Sequence, residues 1–142
     1  MSTRHVHVFI SHSWLYPGHY ETLEEWIFHR AWRFGQARLV FRNFSVPQDN
    51  PIEGARSDKQ LRDAIHNQIA RSHVVVVPLA MYAGRSRWVR EEISGSGLYG
   101  KPVLGVRPRG QLRHPAAIGA ATSMVVGWTA VSVVKGIWAL YR

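Results

Sequence analysis

The stretch "RWVREEISGSGLYGKPVLGV", residues 87–106, carries two kinds of residue that could do chemistry: adjacent carboxylates and closely spaced glycines. Gly95, Gly97 and Gly100 match G-x-G-x-x-G, and Gly95, Gly100 and Lys101 match the G-x-x-x-x-G-K part of a P-loop. A dinucleotide fingerprint works where a strand feeds a tight glycine turn that opens a helix, so that the helix N-terminus meets the pyrophosphate. "GSGLYG" has the reverse order, closing an expected helix and leading into a strand. Free carbonyls at a helix C-terminus repel phosphate. The P-loop pattern also fails at its end, because Pro102 stands where a magnesium-binding Ser or Thr is required. The glycines are expected to form a helix ending and a close helix–sheet contact.

The carboxylates upstream differ from each other. Trp88, Val89, Glu92, Ile93 and Ser96 fall on adjoining helical positions, which places Glu92 at the edge of a buried face and turns Glu91 toward solvent. A glutamate in the first turns of a helix is favoured by the helix dipole. Its place beside a Trp near the carboxyl end of a strand equally suits a reacting group, and both roles stay open at this point. His5 and His7 share one strand face, but no third ligand accompanies them, so no metal site is expected. The chain has no cysteine, which excludes disulfides, thiolate metal sites and cysteine nucleophiles. Neither Ser11 nor Ser13 lies in a G-x-S-x-G motif, which argues against a serine hydrolase.

The elements that must position these residues alternate between strand and helix. The chain has 142 residues, a length suited to one domain over residues 1–142 with a core of its own. Strands are expected at "HVHVFI", "RLVFRNF", "HVVVVPL", "PVLGV" and "SMVVGW". A first helix is expected to begin near Thr22, where Thr22 and Glu25 make a capping box, with Leu23, Trp26, Ile27, Ala31 and Phe34 at helical spacing. Further helices are expected from Ser57, from Ser86 to about Leu98, and from about Thr129 to Leu140. Five strands alternating with helices imply a flavodoxin-like α/β fold, a parallel sheet of order 2-1-3-4-5 with helices on both faces. Ligands of such sheets bind beyond the carboxyl ends of the strands, which directs attention to the loops after strands 1, 2 and 3.

Charge adds little. The net charge is +9, from 18 Lys and Arg against 9 Asp and Glu, and the arginines are scattered from Arg4 to Arg142 without a dense run. An ordinary basic surface is expected, and nucleic acid is not expected as a partner. The apolar tract "MVVGWTAVSVVKGIWAL" is interrupted by Gly127, Thr129, Ser132, Lys135 and Gly136, which reads as a strand and an amphipathic helix and not as a membrane span. The start "MSTRHVHVFI" lacks the apolar run of a leader, so a cytoplasmic location is expected.

Taken in order, "VFISHSW", "NFSVPQDNPI", "VVVVPLAMYAGRSRWVREEI", "KPVLGV" and the late "VVGW" resemble TIR-like domains, and more narrowly the short TIR-like proteins of the bacterial Thoeris anti-phage system. The resemblance runs from about residue 6 to residue 138. It implies a flavodoxin-like TIR fold that cleaves NAD as a substrate, without a further cofactor or metal. The product would be a diffusible signalling nucleotide, a cyclic ADP-ribose isomer or another ADP-ribose conjugate, read by a downstream effector. A phage-derived trigger and homo-oligomeric assembly in the active state are implied with it.

The family's catalytic glutamate lies four residues after a Trp in the third helix, a role that "WVREE" carries onto Glu92. Ser11, His12 and Ser13 would supply donors to the pyrophosphate, and Trp14 and Trp88 would offer ring faces for stacking. Ser11 and Ser13 equally suit a turn cap, and Trp14 a core position. Asn43 and Phe44 are placed with the substrate-binding residues, at the start of the loop from Asn43 to Ile52 that would form a movable wall. Two other classes compete: a non-catalytic TIR-type assembly module, and a glycosyl-transfer enzyme using the same glutamate.

Overall fold

A computed structural model of the chain describes residues 2–10, 17–45, 63, 66–78, 100–107 and 123–141. Its strands are β1 (Ser2–Ile10), β2 (Trp32–Phe34), β3 (Ala37–Asn43), β4 (Val74–Pro78), β5 (Val103–Arg107) and β6 (Met124–Gly127). Among the described residues, two helices, α1 (Pro17–Phe28) and α2 (Ala130–Tyr141), are accompanied by helical residues 66–70. The strands form one sheet in the order β2-β3-β1-β4-β5-β6.

The expectation of a five-stranded, all-parallel sheet of order 2-1-3-4-5 is therefore corrected. The sheet has six strands, and β2 is an antiparallel edge strand paired with β3, while the other neighbours run parallel. Its source lies in the segment assigned to the first helix. That helix begins at Pro17 and ends at Phe28, so Thr22 and Glu25 are interior and form no capping box, and Phe34 belongs to β2. Pro17 suits the first helical position, where the missing N–H had no partner to lose. Trp32 and Phe34 then alternate toward the core on either side of Arg33. Gly35, at φ 59, opens a two-residue turn that pairs Phe34 with Ala37, the positive φ that tight hairpins demand. The indole N–H of Trp32 donates to the Trp26 carbonyl at 2.8 Å, satisfying a carbonyl near the helix end.

β1 joins two halves of the sheet at different heights. Ser2 through Val8 pair with Ala37 through Asn43, while Val8 through Ile10 pair with Val74 through Val76. Val8 alone meets both neighbours, so β3 ends level with the start of β4. The four residue steps from Val74 to Pro78 span about 13 Å, and this is the stagger between the carboxyl ends of β3 and β4.

The core on one face unites Val6, Val8, Ile10, Val74, Val76 and Leu104 with Leu23 and Ile27 of α1 and Val133 and Ile137 of α2. Gly136 brings α2 against the sheet, where a Cβ would lie 2.8 Å from Leu104 Cδ1. Thr129 caps α2 by accepting the Ser132 N–H on Oγ1 at 3.1 Å. Phe9, Val75 and Val77 point to the other face by strand alternation and are fully buried, so this part of the sheet is covered on both sides. Beneath β2, β3 and the first half of β1 that second face is open: Thr3, His5, Arg33, Arg38 and Arg42 are all exposed. Among the described residues no helix is long and apolar enough to cross a membrane.

Candidate active site

The carboxyl end of β1 is held from the side by the residues that follow β3. Phe44 donates its N–H to the Val8 carbonyl at 2.9 Å, extending the ladder by one residue. The chain then turns, and Ser45 is buried with its Oγ accepting the Ile10 N–H at 2.7 Å. Asn43 makes this turn possible. Its Oδ1 accepts the Ser45 N–H at 2.9 Å, the local bond by which Asn favours a turn two residues on. Its Nδ2 donates to the Tyr20 hydroxyl at 3.0 Å and to Glu24 Oε2 at 3.3 Å, which fastens the end of β3 to α1.

Tyr20 donates its hydroxyl proton to Glu24 Oε2 at 3.3 Å. Burial raises the phenol above its ordinary range and the Glu24 carboxylate adds to this, opposed by hydrogen bonds with Asn43 and Ser45. The phenol thus stays protonated, able to donate to the carboxylate while accepting from Asn43. Tyr20, Glu24, Asn43 and Ser45 form a polar brace that sets where β1 and β3 release their loops.

Phe44 points to the other face. Its ring meets His7 edge-on at 4.4 Å, and the Arg71 guanidinium lies 5.3 Å from its centroid. His7 stacks on His73 at 4.6 Å. Two hydrogen bonds also join them: the His7 N–H donates to the ring nitrogen His73 Nδ1 at 2.9 Å, and the His73 N–H donates to the His7 carbonyl at 2.7 Å. His7 Nδ1 lies 3.1 Å from the Arg71 carbonyl, which can only accept, so that nitrogen carries the proton. His73 Nδ1 must keep a free lone pair. Burial lowers the pKa of His73, and the nearby His7 and Lys101 lower it further.

Of the substrate-binding residues expected from sequence, Asn43 and Phe44 lie among the described residues, and the sheet parts them. Asn43 faces α1 and Phe44 faces His7. Glu92, Trp88, Ser11, His12, Ser13 and Trp14 lie outside the described residues, as does most of "GSGLYG". Its last glycine, Gly100, adopts φ 67, the left-handed conformation of a turn, just before β5. His5 is exposed, and His7 is committed to the stack with His73.

Ser45, Tyr20 and Glu24 were not expected to matter. The signal for them was slight: an Asn two residues before a Ser at a strand end, and a Tyr and Glu four apart on a helix. An open groove of about 310 Å³ between the end of α1 and β3 is lined by Ile27–Ala31 and Arg38–Phe41. It sits at the amino half of β3, away from Ile10 and Ser45.

The family described as the TIR-like domain of Thoeris protein ThsB matches residues 9–113. The chain belongs to this family. The span that matches the Thoeris TIR-like domain begins within β1, takes in Asn43, Phe44, Ser45, Trp88 and Glu92, and ends before β6 and α2. It is shorter than the stretch of residues 6–138 over which the sequence resembles the family. No curated protein matches the chain.

Proposed function

We propose that this TIR-like domain cleaves the glycosidic bond between nicotinamide and ribose in NAD and releases an ADP-ribose-derived signal, a cyclic form above all, that activates an effector in anti-phage defence. The observation that carries this reading is the Trp88-x-x-x-Glu92 spacing, which falls inside the span matched by the Thoeris family.

The chemistry asks for a single carboxylate. Nicotinamide leaves as a neutral molecule from an already cationic pyridinium, so no general acid need protonate it. This separates the reaction from ordinary glycosidases, which flank the bond with two carboxyl groups. Glu92, ionised, stabilises the oxocarbenium-like ribose and accepts hydrogen bonds from its hydroxyls. Ser11, His12 and Ser13 hold the pyrophosphate, and Trp14 and Trp88 stack the rings.

The buried Ile10–Ser45 bond supports a shared frame for the loops on either side, because it joins the residue before Ser11 to the root of the 46–52 segment. Asn43 acts in this scheme by fixing that root, and Phe44 by anchoring it to the opposite face. The 43–52 loop serves as the wall that gates the pocket, stiffened by Pro47 and Pro51. Assembly into an oligomer and a phage-derived trigger control it.

The test is incubation of the purified protein with NAD across a concentration series, with and without lysate of infected cells, followed by mass spectrometry. Release of nicotinamide with an ADP-ribose-derived product is expected, and its loss in Glu92→Gln. An unchanged NAD pool under every condition would replace the enzyme with an assembly module.

A further inference from the structure

The arginines of β2 and β3 are unremarkable along the chain, but strand pairing gathers them. Arg33 sits directly opposite Arg38 in the antiparallel β2–β3 pair, and Arg42 lies on the same side of β3 four residues on. Trp32, Phe34, Leu39 and Phe41 pack toward the helices, which turns Arg33, Arg38 and Arg42 to the uncovered face. His5 of β1 lies beside Val40 on that face, and His7 lies beside Arg42. Arg71, over the ring of Phe44, extends the positive charge beyond β1.

Nothing on these strands neutralises it. β1, β2 and β3 contain no Asp or Glu, and among the described residues no carboxylate pairs with Arg33, Arg38 or Arg42. Like charges directly opposite on a sheet are destabilising, so this arrangement costs stability in the free protein. A bound anion relieves that cost.

We propose that the open face of β1, β2 and β3 binds single-stranded nucleic acid through its phosphates, with Arg33, Arg38 and Arg42 as the principal contacts. Three observations favour this occupant over an acidic protein, a membrane or a duplex. Protein interfaces rely on apolar and aromatic anchors at their centre, whereas Val131 of α2 is the large apolar side chain found exposed among the described residues. The same lack of exposed apolar side chains denies a bilayer any insertion. A sheet face presents no recognition helix to a duplex groove, but its cations surround the exposed imidazole of His5, a flat ring on which an unstacked base can lie.

The probe is a fluorescently labelled oligothymidylate of about 20 nucleotides, followed by anisotropy at about 50 and about 200 mM salt. Single-strand affinity falls with salt in proportion to about 0.7 times the number of phosphates neutralised. Four contacts, counting Arg71, imply a loss of about fiftyfold between those salts. The triple variant Arg33→Gln, Arg38→Gln, Arg42→Gln should bind at least tenfold more weakly, with a flatter salt dependence. Its unfolding midpoint should equal or exceed that of the wild type, because the Arg33–Arg38 repulsion is gone.

Arg38→Gln and Lys135→Gln each remove one charge, and only the former should weaken binding, since Lys135 lies on α2. Equal effects of the two would reduce the surface to general charge and overturn the proposal. So would absence of binding at the lower salt, tighter binding of duplex than of single strand, displacement by polyglutamate at equal charge, or preferential binding to vesicles rich in anionic lipid.

Discussion

The backbone N–H of Ile10 donates to Ser45 Oγ across 2.7 Å in a buried setting, so the last residue of β1 depends on a side chain that follows β3. The bond joins residues 35 positions apart and crosses to a strand that ends lower in the sheet. It links the residue before Ser11 to the residue before the 46–52 segment.

Ser45→Ala leaves the Ile10 N–H buried without a partner, and an orphaned buried donor costs about 1–3 kcal/mol. Chemical denaturation should show a loss of this size with little change in the slope of the transition. Because Ile10 directly precedes Ser11, the proposed NAD cleavage should fall as well, measured below the temperature at which the variant begins to unfold. Full stability in Ser45→Ala would show that water replaces the hydroxyl.

Glu92→Gln keeps the shape of the side chain and removes its charge. NAD cleavage should drop on the order of a hundredfold or more, while the unfolding midpoint stays within error of the wild type. Retained activity would move the role to another carboxylate, with Glu91 the next to substitute.

His73 makes stability depend on pH. Its folded pKa is lowered, chiefly by burial, from the ordinary 6.5, so the unfolded chain takes up the proton more readily than the folded one. The contribution is complete above about 6.5 and is lost as the pH falls through that value toward the folded one. Protonation also removes the Nδ1 lone pair that accepts the His7 N–H. Thermal unfolding midpoints at about pH 7.5 and about pH 5.5 should differ less in His73→Asn, whose side-chain oxygen accepts a hydrogen bond without titrating. An identical pH dependence in the variant would assign the effect to other groups.

Gly136→Ala sets two effects against each other. Helix propensity alone favours the alanine by about 1 kcal/mol. The added Cβ would lie 2.8 Å from Leu104 Cδ1, and Leu104 is fully buried, so the side chain has little room to yield. Overpacking of this kind costs about 1–3 kcal/mol, and a net destabilisation is expected in denaturant unfolding. Pairing Gly136→Ala with Leu104→Val should recover part of the loss, a non-additivity that marks direct contact.

The parallel strands were legible because burial on both faces leaves a plain mark. "VVVV" of β4, after His73, and "VLGV" of β5, before Arg107, are continuous apolar runs, and both strands occur within a residue or two of where the sequence places them. α2 was legible from its interrupted apolar pattern, which places its start within a residue of the one observed. The hairpin of β2 and β3 was not. Leu23, Trp26, Ile27, Ala31 and Phe34 fit a helical period, but Trp32 and Phe34 fit a strand period equally well, and three residues are too few to separate the two. Gly35 at positive φ resolved it in favour of the turn.

By itself the sequence determined which segments bury apolar side chains, where the parallel strands lie, and that a carboxylate follows a tryptophan at the family's spacing. These are properties of neighbours along the chain, set by side-chain type and period. Only the tertiary structure decided that Ser45 supports Ile10, that Asn43 and Phe44 face opposite sides of the sheet, and that Arg33, Arg38 and Arg42 share one open face. Each of these depends on strand register, and a shift of one residue would send every side chain of β3 to the other face. Register is chosen by the packing of the whole sheet against α1 and α2, a sum over distant residues that no local pattern contains.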